Sequence, residues 1–320
     1  MLLKNPEDPQ RCIFDLSFTD SARSAWKTIL QHEMRRHQRP LRLLLPAYIG
    51  QTDREGSGVL DPVRQLSASM TFYEVDQSLI PVESLLQQAV GSGEFDLVLV
   101  IHYFGFVQAD LLALQQQCKR HHVTFVEDCA HCCFAPSSSI GQVGDFSFFS
   151  LHKFFPTSSG GVLRRNFDSS SLRQPLEIDA ENRCSREVLE QFLRADLAGI
   201  ARKRRENFEF LEKSLANLAG ITPLMVLNSE TIPHNFPVVV AGKLREKLYF
   251  WLAERDLITT ALYYRLVDEI DSADFPVSHD LAMRILNLPV HQDTEIRELE
   301  FLVKAIEKFF ESESVSSCEM

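Results

Sequence analysis

Between Val123 and Val126 the chain reads Val-Thr-Phe-Val, a β-branched and aromatic run that predicts a buried strand, and the run stops at two adjacent carboxylates, Glu127 and Asp128. A charge at the carboxyl end of a buried strand usually serves a ligand, because in open α/β sheets that edge is where ligands sit. Asp128 is therefore expected to face a crevice. A second apolar run, Asp145 to Leu151, delivers Ser150-Leu151-His152-Lys153 and then the turn Ser158-Ser159-Gly160-Gly161. The two strand ends place an acid and an amine near each other.

For an isolated Asp and Lys the simplest account is a structural salt bridge at a strand edge. The sharper one is pyridoxal phosphate, in which a carboxylate keeps the pyridine nitrogen protonated while a lysine holds the aldehyde as a Schiff base. The order of the surrounding segments favours the second. Val100-Ile101-His102-Tyr103-Phe104-Gly105, Glu127-Asp128-Cys129-Ala130-His131, Gly144-Asp145-Phe146-Ser147-Phe148 with Lys153 and Gly160-Gly161, and Leu286-Asn287-Leu288-Pro289-Val290-His291 follow one another along the chain. Together they resemble the DegT/StrS-like sugar aminotransferases, a family of fold type I pyridoxal-phosphate enzymes, and on that resemblance the chain is an unusually short member.

The resemblance implies an α/β fold in which a large cofactor domain has a mainly parallel sheet flanked by helices, with a smaller C-terminal α/β domain. Strand and helix signals alternate in the same sense over the first half of the chain. We expect the large domain over residues 1–230, the small one over 231–312, and a mobile tail over 313–320, where the apolar stripe of the last helix has ended.

Composition is that of an ordinary globular protein, with 45% hydrophobic and 24% charged residues among 320. A net charge of −11 argues against nucleic acid or an anionic membrane surface as partner. There is no 18-residue apolar run, and the first fifteen residues hold Lys4, Glu7, Asp8, Arg11 and Asp15, so neither a membrane span nor a secretory signal is expected and we place the chain in the cytoplasm. Cys129, Cys132 and Cys133 flank His131, but a structural zinc site needs a second ligand pair and none follows. No metal is expected, and the seven cysteines read as reduced, mainly buried thiols.

Thr19-Asp20-Ser21 offers N-cap side chains ahead of a helix through His37. The start of that helix is either simply capped or an anion site, and the two are compatible. By position, Ser21-Ala22-Arg23-Ser24 resembles the family's phosphate cradle, which nominates Ala22 and Arg23. Ser150 sits where many fold type I enzymes place a phosphate-binding serine, with Ser147 the alternative, and either could be an ordinary strand serine. His131, three residues after Asp128, lies where the family has Gln or His beside the cofactor's phenolic oxygen.

Three positions depart from the family pattern. Many relatives have an aromatic side chain four residues after the proline equivalent to Pro46, stacked on the pyridine ring, whereas this chain has Gly50. Tyr48 could take that role or be a core tyrosine, with His102 and Tyr103 as further candidates. Ser159 replaces an acidic residue before the Gly-Gly pair. A Gly-x-Asn-x-Arg segment that reaches the neighbouring subunit's cofactor is not found before the long helical region, Ser185 to Asn217, whose basic cluster Arg202-Lys203-Arg204-Arg205 reads as a solvated face, although one of its arginines could meet an anionic substrate or phosphate.

The expected chemistry is aminotransfer by a homodimer through Lys153, from an amino-acid donor to a keto-sugar carried on a nucleotide, the substrates and the dimer being implied by the resemblance alone. Alternatives are a degenerate relative that only binds or regulates, or a lyase or dehydratase using the same cofactor; relatives that dehydrate usually have His where Lys153 stands.

Overall fold

A computed structural model describes residues 13–53, 56–107, 110–135, 138–167 and 176–318. The large sheet is built from β1 (Ile13–Thr19), β2 (Arg42–Pro46), β3 (Ser69–Tyr73), β4 (Leu97–Ile101), β5 (Thr124–Cys129), β6 (Phe146–Ser150) and β7 (Gly161–Phe167), with α1 (Ala22–His37), α2 (Leu60–Gln65), α3 (Glu83–Gly91) and α4 (Leu111–His121) between them. Its strand order is β1-β7-β6-β5-β4-β2-β3. Strands β3, β2, β4, β5 and β6 run parallel, and β7 turns back against both β6 and β1. The fold is α/β with a mostly parallel seven-stranded sheet, as expected.

The strand ends follow from local chemistry. Residues 97–101 and 124–129 are buried along their whole length, as parallel strands covered on both faces must be. Asp110 caps α4 by accepting from the Ala113 N–H at 3.0 Å, and His122 in the left-handed region closes it. Trp26 of α1 is fully buried, stacked on Phe148 at 5.7 Å, and so fixes the helix against the sheet.

Helices α5 (Arg186–Arg194) and α6 (Leu197–Leu215) lead to a second sheet of β8 (Ile221–Pro223), β9 (Phe236–Val240) and β10 (Ile285–Leu288), ordered β10-β9-β8 and antiparallel throughout. Helices α7 (Arg245–Ala253), α8 (Pro276–Arg284) and α9 (Ile296–Cys318) accompany it.

Several details differ from the sequence expectations. Residues 13–15, close to the charged and proline-bearing start of the chain, begin β1, which pairs antiparallel with β7 from Ile13 to Thr19; residues 1–12 lie outside the described residues. The single long helix is two, because Asp196 accepts from the Gly199 N–H at 3.0 Å and starts a new one. Part of the expected polar loop over 166–171 and the last two residues of the tail also lie outside the described residues. Among the described residues, no helix is long and apolar enough to cross a membrane.

Candidate active site

The carboxyl ends of β2, β4, β5 and β6 open on one edge of the large sheet, and the loops there converge. Asp128, at the end of β5, is buried, and among the described residues its carboxylate accepts one hydrogen bond, from the Ala130 N–H at 2.8 Å. Burial pushes its carboxyl up to about 6, against the opposing influence of the Ala130 N–H, Lys153 and His102. Lys153 follows the end of β6 and is close enough to act on the charge of Asp128, His131 and His234 alike. The acid and the amine do share one site.

His131 is buried, and burial followed by the Lys153 charge holds it well below the usual imidazole range. The Phe104 N–H donates to its Nδ1 at 3.3 Å, a contact made by Phe104 in the left-handed region at φ 58°. Nδ1 is thereby the acceptor and Nε2 carries the proton. The ring stacks on His234 at 4.7 Å and on Phe104 at 5.9 Å. Beside it opens a cavity of about 530 Å³ lined also by Gly50, Arg245, Tyr249, Thr260 and Tyr263.

Ser150 and Ser147 part company in the structure. Ser150 pairs with Gly161 at the open edge, its hydroxyl 3.2 Å from Nδ1 of His152. Ser147 is fully buried and donates to Gly141 O at 2.7 Å, which ties down the loop before β6. The start of α1 reaches the same edge as Ser150, since Gly160 donates its N–H to Asp20 O at 2.6 Å and a Cβ at Gly161 would come within 2.6 Å of Ala22 N. Ser21 caps the helix by accepting from the Ser24 N–H at 3.2 Å. Ala22 is in the first turn, while Arg23 leans toward Asp61 at 3.8 Å. Asn182 closes over this turn, its carbonyl accepting from the Asp20 N–H at 2.9 Å.

Of the aromatic candidates, Tyr48 is fully buried with an unpartnered hydroxyl, and Tyr103 donates to Tyr48 O at 2.7 Å. His102 is buried against Glu127, Nε2 to Oε2 2.8 Å, and Glu127 also accepts from the Val143 and Gly144 N–H groups. Burial lowers the His102 pKa, but the Glu127 hydrogen bond and the neighbouring acids outweigh it and leave the imidazole raised. His102, Glu127 and Cys129 bring potential ligand atoms within 4.8 Å of one another, a grouping that takes in one of the three cysteines around His131. Three donors already occupy the Glu127 carboxylate, so a structural role accounts for it.

Sequence reasoning missed Arg204. It is 1% exposed, and its guanidinium donates to Lys153 O (2.8 Å), Pro233 O, His234 O and Gln292 Oε1, and lies over the Phe154 ring at 4.5 Å. Its signal was periodicity: Ile200, Arg204, Phe208, Leu211 and Leu215 form one buried stripe of α6, so this arginine lies on the core face of the basic cluster. His234 and Tyr263 come from irregular segments and carry no such signal.

Residues 57–171 and 188–307 match the sequence pattern of the DegT/DnrJ/EryC1/StrS aminotransferase family. The chain belongs to that family. It is similar, at 22% identity over 270 residues, to the dTDP-3-amino-3,6-dideoxy-alpha-D-galactopyranose transaminase of Aneurinibacillus thermoaerophilus, covering 76% of this chain and 73% of that protein. Its fold is similar to that of the aminotransferase TlmJ from Streptoalloteichus hindustanus, with TM-score 0.75, 20% identity, and 93% and 86% of the two chains covered. The PMP form of Spr1654 from Streptococcus pneumoniae gives TM-score 0.78 at 16% identity over 94% and 87% of the chains. The protein is thus a pyridoxal-phosphate-dependent aminotransferase of fold type I.

The residues present fit that cofactor. A buried carboxylate with one backbone donor has capacity left for a pyridinium N–H, the Lys153 amine is close enough to act on its charge, and the neutral imidazole of His131 lines the neighbouring cavity.

Proposed function

We propose that this aminotransferase moves an amino group from an amino-acid donor to a keto-sugar, the sugar carried on a nucleotide. The closeness of Lys153 to both Asp128 and His131, the last of which lines the cavity, is the observation that carries the reading, and the relation to a dTDP-amino-sugar transaminase supports the acceptor class. Bound pyridoxal phosphate supplies an aldehyde that takes up amino groups and a ring that withdraws electrons.

This chain's residues do the rest. Asp128 would lie against the pyridine nitrogen and hold its proton there, the ionised carboxylate and the ring cation offsetting the cost of each other's burial. Lys153 would hold the cofactor through its Nζ, and once the donor's amine has displaced it there, Nζ would take the proton from the donor's α-carbon and deliver it to the carbon that carried the aldehyde. His131, neutral and with Nε2 protonated, donates beside the phenolic oxygen. Ser150 and the first turn of α1 with Ala22 hold the phosphate, where free N–H groups favour an anion. Arg23 adds positive charge nearby, Ser147 supports the strand from behind, and Tyr48 underlies the ring site.

The two sheets correspond to a large cofactor domain and a smaller C-terminal domain, and we take the enzyme to be a cytoplasmic homodimer. The test is the half-reaction: incubation of the loaded protein with glutamate should replace the visible band of the aldehyde form by that of the amino form, and a nucleotide-linked keto-sugar should restore it. Reversal by simple keto acids but by no nucleotide-linked keto-sugar would remove the sugar from the reading.

A further inference from the structure

Residues 259–270, between α7 and α8, lie across the end of β2. Val267 donates to Ile49 O at 2.9 Å, Gln51 to Arg265 O at 3.1 Å, and Gly50 pairs with Leu266 as an isolated bridge. The segment's other end is pinned to β10, where Thr260 and Asn287 exchange N–H···O bonds of 3.0 and 2.8 Å. One side chain, Tyr263, is thereby delivered from the second sheet into the edge of the first.

Its backbone has φ 62°, in the left-handed region that a bulky aromatic rarely adopts. Such a conformation persists when the surroundings enforce it, and it clusters at functional sites. The surroundings here are specific. A Cβ at Gly50 would lie 2.8 Å from Tyr263 Cδ1 and 3.3 Å from its Cα, so the glycine is required by the tyrosine. The ring packs on Tyr48 at 5.1 Å and meets Phe104 and His131 nearly edge-on at 6.0 and 5.9 Å. It covers Tyr48, which is fully buried, and itself lines the cavity with His131.

We propose that Tyr263 is the aromatic side chain that packs against the pyridoxal ring, occupying the space Gly50 leaves and making cofactor retention depend on the C-terminal segment. The proposal rests on the cofactor site assigned above. The Asp128 charge reaches the Tyr263 hydroxyl, so the ring is near the carboxylate that would meet the pyridine nitrogen.

The test is a titration of the apoprotein with pyridoxal phosphate, read as Kd by equilibrium dialysis and as the induced circular dichroism of the bound chromophore, with apoprotein thermal unfolding as the folding control. Tyr263→Phe should keep both readouts. Tyr263→Ala should raise Kd at least tenfold and weaken the dichroic band. Gly50→Phe alone should also weaken binding by expelling the Tyr263 ring, whereas Gly50→Phe combined with Tyr263→Ala should recover part of the loss. If Tyr263→Ala does not fold, Tyr263→Leu, which keeps the bulk without the aromatic face, takes its place with the same expectation. Wild-type Kd and dichroism in the folded non-aromatic variant would overturn the proposal and leave the cofactor site standing. Absence of binding by the folded wild type would overturn both.

Discussion

The guanidinium of Arg204, a residue of α6, donates to the backbone carbonyl of Lys153 over 2.8 Å and is enclosed by protein on every side. The turn that presents the reactive amine is thus fixed from below by a buried cation, whose pKa burial lowers to about 10 against the effect of Cys133 and Asp293. Gln292 completes the bracket by donating to Phe154 O at 3.1 Å.

Arg204→Met keeps much of the volume and leaves the acceptors Lys153 O, Pro233 O and His234 O without their donor. Unsatisfied buried acceptors cost about 1–3 kcal/mol each, so a loss near 3 kcal/mol in urea unfolding is expected. A change below about 0.5 kcal/mol would show that the bracket is dispensable.

Asp128 gives a prediction of opposite sign. Folding raises its pKa from 3.8 to about 6, so the stability tied to its protonated form is complete below about pH 4 and is lost as pH rises to about 6. The shift of about two units corresponds to about 3 kcal/mol. Apoprotein carrying Asp128→Asn should therefore be more stable than wild type at pH 8 and nearly equal at pH 4, while losing cofactor affinity. Denaturant midpoints at the two pH values decide it, and equal stability of the two proteins at pH 8 would contradict the burial account.

His131 and His234 act on the acid side. Burial, then neighbouring positive groups, depress both, so below about pH 6.5 the unfolded chain takes up protons that the native state does not. Their contribution to stability is present above that pH and falls away below it. His234→Asn should flatten the decline between pH 6.5 and 5 by roughly one proton. An unchanged slope would mean that His234 titrates normally in the folded protein.

Gly161 joins β7 to the first turn of α1. A Cβ there would lie 2.4 Å from the carbonyl carbon of Ser21 and 2.6 Å from Ala22 N, both backbone atoms. Gly161→Ala is expected to cost about 1–3 kcal/mol and to weaken phosphate-dependent cofactor binding by displacing that turn. Gly58→Ala, with nothing within 4 Å, is the control and should change little.

Much of this architecture was legible because burial writes itself into strands. The run from Val123 to Asp128 and the second strand before Lys153 each stand where their residue types demand. Strand β1 went unread although Asp15, Ser17 and Thr19 alternate with apolar residues as in a half-buried strand, because the alternation directly follows a charged, proline-bearing stretch and the strand is fixed by pairing with the distant β7. Within the site, Asp128 and Lys153 announced themselves by their place at and just past strand ends, and His131 by its position in the resemblance, three residues after Asp128. Arg204 was hidden among exposed cations, and Tyr263 gains its place only through tertiary pairing of an irregular segment with Gly50 and Asn287, which no local pattern encodes.

The central claim is that Lys153 holds the cofactor opposite Asp128. The most direct measurement is borohydride reduction of the protein incubated with pyridoxal phosphate, followed by peptide mapping and repeated with Lys153→Ala. The account predicts a visible band in the wild type, a single pyridoxyl label on Lys153, and neither in the variant. A label on another lysine, or no band in the folded wild-type protein, would contradict it.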